Sequence, residues 1–92
     1  MRVVSLDLPG AELVAAGVHD LLQGDETVEA LVVSVGAPRL RSLCFEIPAT
    51  IADPEHRLYQ VLAAEAADAA HGRYNALIRR LVSFERAAAC VA

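Results

Sequence analysis

Val28–Leu43, VEALVVSVGAPRLRSL, is the stretch whose reading decides the fold. Val28, Leu31, Val32 and Val35 recur at the spacing of one helical face. The stretch is also rich in valine, which suits a strand, but strict alternation would leave apolar side chains on both faces. The spacing therefore predicts a helix over 28–35. Gly36 is read as its end, and Pro38 as the first residue of a second short helix reaching Leu43.

Outward from this stretch, the punctuation is helical on both sides. Ala11 to Gln23 places Leu13, Val14, Gly17, Val18 and Leu21 on one face, and Gly24 supplies a left-handed stop. Asp25 or Thr27 is positioned to cap the helix that begins near Val28. Downstream, Asp53-Pro54-Glu55 is a helix start, with Asp53 to accept from orphan amides and Pro54 at the first position. That helix is expected to reach about Ala67, with Asp68 capping the next one and Gly72 marking a break near its beginning. Arg2–Leu8, RVVSLDL, reads as a short strand or extended arm closed by Pro9-Gly10. Phe45-Glu46-Ile47-Pro48 echoes Leu6-Asp7-Leu8-Pro9, so the two are candidates for a small ribbon.

The last helix has the clearest pattern. Tyr74, Leu77, Leu81, Phe84, Ala88 and Val91 form a heptad seam, and Ile78 and Val82 widen it. A widened stripe suits a bundle better than a two-stranded coil. The expectation is an all-α fold, a small bundle of four to five short helices with an N-terminal extended segment, spanning residues 1–92 as one domain. The alternative is α+β, with residues 3–8, 28–35 and 40–47 forming a small sheet.

Composition narrows function. The chain has 92 residues and a formal charge of −4. A general attraction to phosphate or to an anionic membrane is not expected. Apart from three histidines its basic side chains are all arginine, with no lysine, and with abundant alanine this reads as a bacterial, GC-rich coding sequence. Asp7, Pro9 and Glu12 interrupt any apolar leader. The longest uncharged run, Ala30–Pro38, is far short of the roughly 20 residues a spanning helix needs. Cys44 and Cys90 are far apart and lack metal-ligand spacing, so both are expected as reduced, partly buried thiols in a cytoplasmic protein.

Chemistry-bearing constellations are few. Asp53-x-x-His56 and Asp68-x-x-His71 have the spacing of carboxylate–imidazole pairs in metal-binding helical bundles, but helix capping accounts for both aspartates. His19-Asp20 is expected on a solvated face. No nucleophile signature or phosphate loop occurs, which argues against an enzyme and against a cofactor. Residues 28–43 fit a degenerate helix-turn-helix turning at Gly36, with Arg39 and Arg41 on the second helix. Arg79 and Arg80 are further candidates for anion or nucleic-acid contact. The leading expectation is a non-catalytic interaction or regulatory protein acting through apolar helix faces. Its self-association or partner interface would be Tyr74, Leu77, Ile78, Leu81, Val82 and Phe84. A homodimer is expected through this helix, with Arg80 and Glu85 spaced for cross-chain pairing in parallel helices. The alternatives are a dimeric DNA-binding regulator and, third, a metal-binding bundle.

Overall fold

The computed structural model describes residues 4–91, which are mostly helical and contain no strand. Helix α1 covers Ala11–Gln23, α2 Val28–Ser42, α3 Pro54–Ala66 and α4 Ala70–Cys90, with a 3₁₀ turn at Ala67–Ala69 leading into α4.

The deciding stretch is one continuous helix, which corrects the expected stop at Gly36 and restart at Pro38. The reason lies in burial. Ala30, Leu31, Val32, Val33 and Ser34 are consecutive and all buried, so they close more than a full turn of α2 against protein. A helix apolar on every side belongs at the centre of a fold, and α2 packs against α1, α3 and α4. Pro38 removes the amide that would reach the Ser34 carbonyl, at a cost of about 3 kcal/mol. Continuing the helix buries Leu40 completely beyond the proline, and burying one leucine returns about 1.5–3 kcal/mol. Gly36 is present for contact: a Cβ there would lie 2.8 Å from both Leu81 methyl carbons, so α4 rests directly on the α2 backbone.

Both ends of α2 are firmly set. The Thr27 hydroxyl accepts the Ala30 amide at 3.1 Å and donates to Asp20 Oδ2 at 2.6 Å, so it caps α2 and ties it to α1. At the other end Cys44 is left-handed, with φ 72°. Its amide donates to the Arg41 carbonyl, and the Phe45 amide reaches back to the Leu40 carbonyl. This is the Schellman pattern, completed by apolar residues at both ends of the longer bond, Leu40 and Phe45, each of them buried. Gly24 closes α1 in the same way, its amide donating to Leu21 and that of Asp25 to Asp20.

Around this post, α1 contributes Ala11, Leu13, Val14 and Gly17, α3 Leu58 and Leu62, and α4 Ala70, Leu81, Phe84 and Ala88. The Phe45 and Phe84 rings meet at 5.4 Å. The loop before α3 is anchored from α2: the Ile51 amide donates to the Ser34 hydroxyl, and Arg41 donates to the Pro48 carbonyl at 3.0 Å and to that of Ile47 at 3.4 Å.

Several local expectations are corrected. Asp53 precedes Pro54 at the start of α3 as expected, but it is left-handed and its side chain makes no cap bond. Asp68 lies within the 3₁₀ turn, and α4 starts at Ala70 without a side-chain cap. Gly72 lies inside α4 and breaks nothing. Leu6 and Asp7 lie in a turn, with the Leu8 amide donating to the Ser5 carbonyl, so this part of the expected arm is not extended, whereas Phe45 is a β-bridge residue. Arg2 and Val3 lie outside the described residues. The sheet alternative fails at residues 28–35, which are helical throughout.

Candidate interaction surface

α4 is where the candidate residues converge, and the fold divides them into two groups. Leu81 and Phe84, at 3% and 0% exposure, are part of the core. Tyr74, Leu77, Ile78 and Val82 are half-buried, and Val91 at the end of the seam is exposed. The seam therefore faces inward through its middle. What remains accessible is a row at i, i+4, i+8: Tyr74, Ile78 and Val82. Residues at that spacing lie along one line of a helix. α3 extends the row, because Tyr59 sits 6.0 Å from Tyr74, ring centre to ring centre, and is 41% exposed. Sequence reasoning did not single out Tyr59, because only the pairing of two separate helices brings it beside Tyr74. Burial raises the Tyr74 phenol above its ordinary range, and the Glu55 carboxylate adds to the shift.

At its C-terminal end the row is bordered by arginine. Arg79 and Arg86 are the i−3 and i+4 neighbours of Val82, and both are exposed. Glu85 does not extend outward for a parallel partner helix. It is half-buried beside Gly36, where a Cβ on that glycine would lie 3.2 Å from its Oε2. Burial raises its carboxyl above the ordinary carboxylate range, and the positive charge of Arg39 offsets part of that shift. On the other flank Arg80 lines an open groove of about 440 Å³ with Val28, Glu29, Glu65, Arg73 and Leu77. Arg73 in that groove is already bonded to Glu65 at 3.2 Å.

The nucleic-acid candidates are not gathered into a reading head. Arg39 and Arg41 lie on the last turn of the same helix as Val28, so residues 28–43 contain no helix-turn-helix. Arg41 is engaged with the carbonyls of its own chain.

No protein-family model matches the chain, and no curated protein or solved structure is detectably similar to it.

His56 and His71 are exposed, and His71 lies 3.2 Å from the Asn75 amide nitrogen. Among the described residues no three His, Cys, Asp or Glu side chains come together as a metal site would require. Asp20, expected on a solvated face, is half-buried and accepts the Thr27 hydroxyl. Cys44 and Cys90 are free and exposed rather than partly buried. Among the described residues no helix is long and apolar enough to cross a membrane.

Proposed function

We propose that this chain is a non-catalytic interaction protein that binds a protein partner, or a second copy of itself, through the Tyr59–Tyr74–Ile78–Val82 row. The observation carrying this reading is the row itself: two tyrosines in contact and two aliphatic side chains, left partly open on a domain this small and bordered by exposed arginines. Tyrosine and arginine are among the residues that most often dominate binding energy at protein interfaces. Two free, exposed thiols support a reducing compartment, the cytoplasm of a bacterial cell.

The test is affinity purification of the tagged chain from its host, wild type against Tyr59→Ala combined with Val82→Asp. The expected result is a stoichiometric polypeptide, foreign or a second copy, recovered with the wild type and lost with the variant. Far-UV circular dichroism should show both forms folded. Equal recovery by two folded forms would overturn the reading.

A further inference from the structure

Charge is segregated along this chain. Residues 3–38 hold six carboxylates and no arginine, whereas α4 holds four arginines and one glutamate. Glu29 shares a groove with Arg73 and Arg80, but no described ion pair joins the two sets. Among the described residues the ion pairs are Arg57–Glu26 and Arg73–Glu65, and neither involves Arg79 or Arg86 on α4. Exposed apolar side chains occur in both parts, with Val91 at 65% just beyond α4. Leu6 and Leu22 are each 67% exposed, and both lie in the acidic part. Leu22 sits at the end of α1, with Asp25, also exposed, just after the cap.

Each chain thus carries an apolar row bordered by arginines and, elsewhere, a protruding leucine bordered by a carboxylate. We infer that these two surfaces are counterparts: the α4 row receives the α1 end of a second copy, with Leu22 on Ile78 and Val82 and Asp25 facing Arg79 and Arg86. The inference rests on the reading of α4 as an interaction surface and names its occupant. A two-fold axis makes the contact twice, because each chain then both gives and receives an α1 end. The apolar contact supplies affinity, while the charges set orientation and make association sensitive to salt.

The experiment is sedimentation equilibrium at tens of micromolar chain, at low and at molar salt, with circular dichroism on every variant. All substituted positions are exposed, so the fold should survive. The wild type should show twice the monomer mass at low salt and a lower average mass, from weakened association, at high salt. Arg79→Glu with Arg86→Glu should give the monomer at low salt, as should Asp25→Arg with Leu22→Gln. Combining Asp25→Arg with both α4 reversals should restore the doubled mass. A wild-type monomer at low salt overturns the inference, as does a doubled mass that persists in both reversed variants. A dimer lost in the α4 variant but kept in the α1 variant also overturns it, while leaving α4 as an interaction surface for a different occupant.

Discussion

Replacing single glycines by alanine separates the forces that hold this bundle together. Gly17 is buried where α1 crosses α2. A Cβ there would lie 2.9 Å from the Glu29 carbonyl carbon and closer still to its oxygen and to Val33 Cγ2. Two of those atoms are backbone, and Val33 is β-branched, stiff at χ1 in a helix. None of the three can turn aside. Ordinary contact begins near 3.4 Å, so α1 must retreat by half an ångström or more, drawing Leu13 and Val14 out of the core. Overpacking of this kind costs about 1–3 kcal/mol. The gain in helix propensity from glycine to alanine, about 1 kcal/mol, returns part of it. Gly17→Ala should therefore destabilise by up to about 2 kcal/mol net. Gly72 is the opposite case: it is helical, exposed and has open space around its missing Cβ. Gly72→Ala should stabilise by about 0.5–1 kcal/mol. Gly24 also has open space but sits at φ 77°, where alanine costs about 1 kcal/mol. Urea titrations with far-UV circular dichroism as the signal read all three. With a slope of about 1 kcal/mol per molar, typical of a small domain, the midpoints should rank Gly72→Ala above wild type and Gly17→Ala well below it. A Gly17→Ala midpoint above wild type would refute the close crossing of α1 and α2.

Particular side chains give further expected outcomes. Cys44 holds a left-handed conformation that glycine adopts without strain, so Cys44→Gly should raise the urea midpoint and Cys44→Val should lower it. Leu81 is buried against Gly36 and Arg79 is exposed. Leu81→Ala should cost about 2–5 kcal/mol and Arg79→Ala within about 0.5 kcal/mol, read from the same titrations. Glu85 has its pKa raised by burial, so the folded state holds that proton more tightly than the unfolded chain does. Its contribution is least unfavourable below the unfolded pKa and becomes destabilising as pH rises through the folded one. Glu85→Gln should therefore be more stable than wild type at neutral pH, with the difference shrinking as the solution is acidified through the carboxylate range. A constant difference would contradict burial of that carboxylate.

Much of the helical grammar was legible in the sequence because it is local. Thr27 as a cap, Gly24 as a stop and Pro54 at a first position act through their own backbone and nearest neighbours, and each stands where the pattern put it. The α1 face was legible for the same reason: a 3.6-residue period reports which side meets the core. Misreadings arose where a tertiary contact outweighed a local signal. Gly36 and Pro38 look like a stop and a restart, and only the cover supplied by Leu81 and the burial of Leu40 make the helix run through them. Asp53 and Asp68 look like caps, yet neither makes a cap bond. On the candidate surface, the heptad spacing located α4 correctly, but periodicity alone does not say which part of a seam the chain itself consumes. Leu81 and Phe84 went to the core, and Tyr59 entered the surface from another helix.

The central structural claim is that α2 runs unbroken from Val28 to Ser42 and is the post on which the other helices pack. Amide hydrogen exchange, read residue by residue with backbone carbon shifts, tests it most directly. Carbon shifts should remain helical through Gly36–Arg39, and the amides of Leu31–Ala37 should be among the slowest to exchange, opening only with global unfolding. Loop-like shifts at 36–38, or exchange there as fast as in the 48–53 loop, would contradict it.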